Sequence, residues 1–521
     1  MKIFTALLTC LSVYASFAQN SSIQNDKCFG GSLEDVFNGQ ISLSDGRHVL
    51  FGYSKSNISG TKTENGFGGM DGWIILLDQN NNEVWQKTIG GNYTDFFSKG
   101  IQLTNGNICL LGTSESSASG NKTSVSNGGT DAWLIQLDLN GNILLDKSFG
   151  GLDSDNGGGS IIEGNDGSIY LFCSSFSGIS GNKTEPNIGM SDIWLLKCDT
   201  AGNIVQQKTI GGTATDYIWN VIQDDNLNFI VAAQSSSGIN GDKTESNIGL
   251  QDFWVLKIDT NFQLINQKTI GGTSSDYPNC MLLKNGNIII VGNSDSNASG
   301  NKTESSYGWS DYWLVELTAN FEIIREKTIG SDFDDYGCSA HLLPNGNLFV
   351  CGYSDSPSNE FKSQNNIGGR DVWFFLLDDN WNIIYDRTMG STGSESGCIA
   401  SVSDLSNFSI FCNSNGAANN DKTCPTNGQI DFWVLSLSSD LTVDENLSNQ
   451  LFIFPNPASE TLTISLPEKT SNTDCILFDN LGKEVKRFMV TGGENMEDIS
   501  ELESGIYLIR LGERIKKITK Q

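Results

Sequence analysis

One tripeptide pattern governs what this chain can become. Asp-x-Trp recurs at Asp71-Gly72-Trp73, Asp131-Ala132-Trp133, Asp192-Ile193-Trp194, Asp252-Phe253-Trp254, Asp311-Tyr312-Trp313, Asp371-Val372-Trp373 and Asp431-Phe432-Trp433, about every sixty residues. A constant period of this length marks a repeat architecture, in which each unit buries its apolar faces against its neighbours. The unit from Gly90 to Phe149 parses into four strands. The first ends at the hairpin signal Asn105-Gly106-Asn107, and the second runs from Ile108 to Thr113. A polar loop leads to the Trp strand, and Asn140-Gly141-Asn142 turns into the fourth. Four antiparallel strands, written seven times, predict the blades of a β-propeller. The Trp strands are near-continuous apolar runs, as in Ile74-Ile75-Leu76-Leu77, which suits sheets covered on both faces. The seven tryptophans therefore read as buried and structural, and the aspartate before each as a loop cap that accepts backbone N–H groups.

The ends of the array carry a second signal. The seventh unit stops after Val434-Leu435-Ser436-Leu437, without the Lys-Thr-x-Gly-Gly strand that finishes the others. A matching piece stands at the opposite end, as Lys27-Cys28-Phe29-Gly30-Gly31. The expectation is an all-β chain. A seven-bladed propeller of four-stranded blades fills residues 19–441, its N-terminal strand closing the last blade. A polar linker at 442–449 and a small C-terminal β-sandwich at 450–521 follow.

Residues 1–18 read as a secretory signal peptide: Lys2, an apolar run from Ile3 to Val13, and Ser16-Phe17-Ala18 before the cut. Cys10 resembles a lipoprotein acceptor, but Thr9 fits poorly beside it, so cleavage after Ala18 is favoured. No other segment has the length of apolar chain that spans a bilayer. The formal net charge of −29 excludes nucleic acid and anionic membrane as partners, because both demand Lys/Arg clusters. Excluding Cys10, eleven of the twelve cysteines remain, with no C-x-x-C pair. Cys109, Cys173 and Cys280 lie in apolar runs. Cys338/Cys351 and Cys398/Cys412 recur at similar places in adjacent units, so hairpin disulfides stay open beside the favoured reading of buried thiols.

With these residues in view, the repeats resemble bacterial secreted β-propeller repeats of about sixty residues. The motif is quoted by Asp192-Ile193-Trp194-Leu195-Leu196-Lys197-Cys198-Asp199, Gly202-Asn203 and Lys208-Thr209-Ile210-Gly211-Gly212. The C-terminal stretch resembles the sorting domain of the type IX secretion system of Bacteroidetes. The matching residues are Phe454-Pro455-Asn456-Pro457-Ala458, Leu477-Phe478-Asp479-Asn480-Leu481-Gly482-Lys483 and Ser504-Gly505-Ile506-Tyr507-Leu508. That resemblance implies passage through the inner membrane and then across the outer one, with the type IX machinery as partner. The protein would end at the cell surface or in the medium.

Strand alternation puts the Gly-Gly-x-x-x-Asp loops and the long Ser-Gly-x-Lys-Thr-Glu loops on one face, where a binding site is expected. Lys62-Thr63-Glu64 and its copies at Lys183, Lys243 and Lys302 read as surface ion pairs and inter-blade hydrogen bonds. Departures from the pattern, Ser358-Asn359-Glu360-Phe361-Lys362 and Asp421-Lys422-Thr423-Cys424-Pro425, single out blades six and seven for specific contacts. Asp35, Asp95, Asp155, Asp216, Asp276, Asp335 and Glu395 follow the Gly-Gly turns and suit a ring at the channel mouth that could hold Ca²⁺, with Asp332, Asp334 and Asp335 the densest cluster. No other cofactor is indicated. Only His48 and His341 are present, which disfavours a His-based triad or zinc site. The expected function is a monomeric, non-enzymatic binding or scaffold module for a glycan, protein or surface polymer. A polysaccharide hydrolase or lyase using paired carboxylates is the alternative.

Overall fold

The computed structural model describes residues 21–403 and 405–439, and in the C-terminal part 452–454, 458, 460–466, 473–479, 483–511 and 514–520. The expected signal peptide and linker, together with Pro455, Asn456, Pro457 and Gly482, lie outside the described residues. Two compact units are present, residues 1–439 and 440–521.

In the first unit each sixty-residue repeat forms one four-stranded antiparallel sheet in plain up-and-down order. Blade one consists of Asp35–Ser42, His48–Ser54, Asp71–Leu77 and Glu83–Ile89. Blade two repeats it with Asp95–Gln102, Ile108–Ser114, Asp131–Leu137 and Ile143–Phe149. The second and third strands are buried along nearly their whole length, and the fourth is half exposed. Each first strand lies against the first strand of the next blade, so the first strands form the inner wall. Side chains interdigitate between blades: Ile41, Phe51 and Ile74 of blade one share a core with Phe97, Leu110 and Trp133 of blade two.

The ring closes. Strand Ser21–Phe29 pairs antiparallel with Asp431–Ser439, bringing Cys28 opposite Trp433, and so becomes the outer strand of blade seven. Its side chains repeat the chemistry of the other outer strands. In blades one to three the Trp Nε1–H donates to the residue thirteen places on: Trp73 to Gln86 (3.2 Å), Trp133 to Asp146 (2.8 Å) and Trp194 to Gln207 (3.2 Å). Trp433 donates instead to Asp26, at 2.8 Å. Blade one then packs on blade seven, with Phe37, Leu50 and Trp73 against Phe411, Phe432 and Val434.

A disulfide joins Cys28 of the closing strand to Cys424 in the loop of blade seven, across 396 residues of sequence. The hairpin pairings left open by the sequence do not form. A bulge in each inner strand takes Cys338 and Cys398 out of register with their neighbours, and Cys338, Cys351, Cys398 and Cys412 are all free thiols.

The second unit is a pair of small sheets around one core. Phe452–Phe454, Thr461–Leu466 and Gly493–Asp498 make one; Glu484–Val490, Thr473–Phe478, Gly505–Leu511 and Arg514–Lys520 make the other. Leu462, Ile464, Cys475, Leu477, Tyr507 and Ile509 fill the space between. Gly505 opens a strand, and the Tyr507 hydroxyl donates to the Glu503 carbonyl at 2.8 Å. Among the described residues no helix is long and apolar enough to cross a membrane.

Candidate functional site: the loop face, the buried belt and the channel

The aspartate of each Asp-x-Trp starts the third strand and turns its carboxylate back into the preceding loop. Asp71 Oδ2 accepts the N–H groups of Phe67 (2.8 Å) and Gly68 (3.2 Å). Asp192 does the same for Ile188 and Gly189, and Asp371 for Ile367 and Gly368. These are caps on the long loop, made within one blade.

The acidic residues after the Gly-Gly turns are not at the channel mouth. Asp35, Asp95, Asp155, Asp216, Asp276, Asp335 and Glu395 are wholly buried. Asp95 Oδ2 accepts Gly91 N–H at 2.7 Å and the Ser116 hydroxyl at 2.8 Å, and Asp335 likewise takes Ser331 N–H and the Ser356 hydroxyl. The Gly-Gly turn folds over them as a lid. Asp332, Asp334 and Asp335 diverge: Asp332 is exposed, Asp334 lies 4.0 Å from Arg370, and Asp335 points inward. Among the described residues no group of three or more His, Cys, Asp or Glu side chains is placed to hold a metal ion.

The loop lysines, read from sequence as surface groups, are buried too. Lys62 stands over the Trp73 ring at 5.2 Å and bonds to Thr88; Lys122, Lys183, Lys243 and Lys302 cover Trp133, Trp194, Trp254 and Trp313 in the same way. The cation–π contact and the hydroxyl partners explain why an ammonium tolerates this position. The glutamates do reach the surface: Glu64 pairs with Lys87 at 3.1 Å, and its other oxygen caps Thr88 N–H. The divergent loops of blades six and seven preserve the buried lysine as Lys362 and Lys422, so their irregularity leaves this device intact.

These groups form a continuous belt. Lys62 faces Asp35 and Asp71, and Asp71 faces Asp95 of the next blade. Lys122 links Asp95 to Asp131, which faces Asp155; Lys183 links Asp155 to Asp192, which faces Asp216. Lys243, Asp252, Asp276, Lys302, Asp311 and Asp335 continue it. Lys362, Asp371, Glu395, Lys422 and Asp431 return it to Asp35. No member is more than 2% exposed. The belt holds two carboxylates for each lysine, and Oδ1 of every aspartate in it accepts no hydrogen bond. Burial, reinforced by the carboxylate of the adjoining blade, pushes Asp311 and Asp371 up to about 7 and Asp192, Asp276 and Asp431 up to about 6, and burial alone pushes Asp335 up to about 6. Burial also lowers Lys62, Lys183, Lys243 and Lys362 to about 8. The Glu395 carboxylate beside Asp371 adds to the upward push on Asp371.

Above the belt, the loop face breaks the sevenfold pattern. Two residues before the belt aspartate, blades one, two and six carry Gly69, Gly129 and Gly369, whereas blades three, four and five carry Met190, Leu250 and Trp309. These three are 66%, 69% and 71% exposed. Each backbone is tied to the next blade, as Met190 N–H donates to Ala214 O (3.0 Å) and Trp309 N–H to Phe333 O (3.2 Å). Leu152, Ile179 and Ile239 are exposed on the same loops, and the Phe333 ring lies 6.0 Å from that of Trp309. Sequence reasoning missed this arc, although aligning the units on their Asp-x-Trp would have found it.

Two cavities border the first unit. One of about 220 Å³ at the junction of blades six and seven is lined by Arg370, Ser394, Ser396, Asn413, Asn415 and Ile430. The other, about 810 Å³, lies on the turn face by the closing seam, lined by hydroxyls and amides such as Ser42, Asn80, Asn81, Ser401 and Ser438, with His48. Burial lowers His48 and His341 below the usual histidine range, and the two stand in separate blades.

Residues 452–521 match the family described as the secretion system C-terminal sorting domain. They are a type IX sorting domain, and the chain is secreted or displayed at the cell surface. A comparison with curated proteins found no match. Among solved structures, a protein of unknown function from Dyadobacter fermentans is 9% identical, with a TM-score of 0.38 over 80% of this chain and 99% of its own. Kuenenia stuttgartiensis hydrazine synthase is 12% identical, with a TM-score of 0.41 over 74% and 94%. The Pan2 WD40 domain of Neurospora crassa is 10% identical, with a TM-score of 0.39 over 77% and 89%. The architecture therefore rests on the strand pairing described above.

Proposed function

We propose that the propeller is a non-enzymatic binding module that engages an extracellular partner through the loop face of blades three to five. The observation that carries this reading is the replacement of glycine by Met190, Leu250 and Trp309 in three consecutive blades. Contiguous exposed apolar surface mark interaction sites on soluble proteins, and exposed aromatic residues supply much of the energy there. Here the side chains project from loops fixed by backbone bonds between blades, so little ordering is needed on binding. The belt carboxylates lie under the Gly-Gly turns, out of reach of a substrate. A protein or weakly charged polymer suits this arc among the partner classes the sequence left open.

The test is a triple substitution, Met190→Ser with Leu250→Ser and Trp309→Ser, compared with the unaltered protein on glycan and extracellular-protein arrays. Loss of roughly tenfold or more in affinity for the bound component, with unchanged melting, is expected. Equal binding by the variant, or turnover in a polysaccharide substrate screen, would contradict the reading.

A further inference from the structure

All seven inner strands bulge, and the bulges fall at corresponding positions. Each inner strand adjoins the next, so these positions form one level of the channel wall. The bulge residues are Asn38-Gly39, Ser98-Lys99, Gly157-Gly158-Gly159, Trp219-Asn220, Pro278-Asn279-Cys280, Cys338-Ser339 and Gly397-Cys398. Lys99 is the single charge among them.

Its neutral counterparts are engaged with the wall itself. The Asn38 amide donates to the Phe97 carbonyl at 2.9 Å, and the Asn279 amide to the Gly337 carbonyl at 2.6 Å. Asn220 accepts Met281 N–H at 3.2 Å, and Trp219 Nε1–H donates to Gln234 at 3.0 Å. Lys99, by contrast, is the one propeller lysine among the described residues with no hydrogen bond, ion pair or aromatic contact. The titratable group that acts on it is the Cys280 thiol, at the corresponding bulge of blade five. Burial pushes that thiol up to about 12, so it remains neutral and supplies no counter-charge. Space is available at this level: a Cβ on Gly158, in the adjoining bulge, would meet nothing within 4 Å. Trp219, partly exposed, offers an indole face in the same wall.

An ammonium on the channel wall with no counter-ion beside it favours an anion, which it can hold by a charge-assisted hydrogen bond. The buried lysines of the belt face carboxylates; Lys99 is only partly buried and has none beside it, and the sevenfold pattern is broken by this one residue. We propose that the channel binds an anion at Lys99, namely a carboxylate or sulfate, either free or carried on an acidic sugar. This site is separate from the apolar arc and stands or falls without it.

Titration calorimetry on the full exported chain tests it with three probes: inorganic sulfate, galacturonate and neutral galactose. Sulfate or galacturonate is expected to bind where galactose does not, with Lys99→Met weakening binding roughly tenfold or more and Lys99→Arg retaining it. Galacturonate binding well above sulfate would identify the sugar acid as the source, and comparable binding the free anion. The Lys99→Met chain should melt no lower than the parent, since the substitution removes an unpaired charge. Failure of both anions to bind, equal binding of galactose, or undiminished binding by Lys99→Met would overturn the proposal.

Discussion

A Cβ on Gly90 would stand 2.3 Å from Asp71 Oδ1 and 3.0 Å from Asp95 Oδ2; at Gly150 the corresponding atoms of Asp131 and Asp155 are 2.0 and 2.8 Å away. The first glycine of the repeated pair is thus required by two converging carboxylates, and the second by serine: a Cβ on Gly91 would meet Ser119 Oγ at 2.5 Å. Gly90→Ala is expected to destabilise by about 1–3 kcal/mol through overpacking, read by denaturant unfolding. Trp313→Ala, at a side chain with no exposed surface, should cost about 3–5 kcal/mol. Asp311→Asn keeps an oxygen for the N–H groups of Tyr307 and Gly308 while removing one charge of a facing pair. The caps, legible as Asp-x-Trp, were readable from sequence because they are local. The lysines were not: Lys-Thr-Glu in a polar loop looks solvated, and only the fold reveals a Trp ring beneath it.

At the scale of the element, the closing strand decides whether seven sheets make a ring. Asp26 accepts Trp433 Nε1–H at 2.8 Å and the N–H groups of Thr423 (2.9 Å) and Cys424 (3.2 Å). Asp26→Ala strands all three donors and is expected to cost about 2–4 kcal/mol. Cys28→Ser releases the tether and should cost about 2–5 kcal/mol, with peptide mapping of the unreduced parent recovering Cys28 linked to Cys424. The strand itself was legible, because the seventh unit lacks a piece that Lys27 to Gly31 supplies. The disulfide was not, since a link spanning 396 residues leaves no local spacing. In blades four to six, Phe262, Phe321 and Trp381 take positive φ (60°, 70° and 61°) where blades two and three have Gly141 and Gly202. Their rings are buried, which offsets the strain and hides the turn from a search for glycine.

Across the whole molecule the belt makes stability depend on pH in a definable direction. Aspartates such as Asp311 and Asp371 have folded values near 7, above the unfolded range, so their contribution is complete at acid pH and is lost as pH rises through about 7. Lysines such as Lys62 and Lys362 are depressed to about 8, so their contribution is present above the unfolded value and lost as pH falls through about 8. Both sets are least favourable together at neutral to weakly alkaline pH, so melting should be higher at about pH 5 than at about pH 7.5. Asp311→Asn should flatten that slope; a melting temperature that climbs from pH 5 to 7.5 would contradict the belt. Deleting residues 450–521 should leave a folded propeller in the periplasm, checked by fractionation. The sevenfold plan and the export tag were readable because both are repeated or motif-like, whereas the apolar arc and Lys99 are departures from the repeat and emerge only when blades are compared position by position. Hydrogen exchange of the amides in Ser21–Phe29 tests ring closure most directly. Protection equal to that of the outer strand Glu83–Ile89 is expected, and exchange at the rate of unstructured chain would contradict a closed ring.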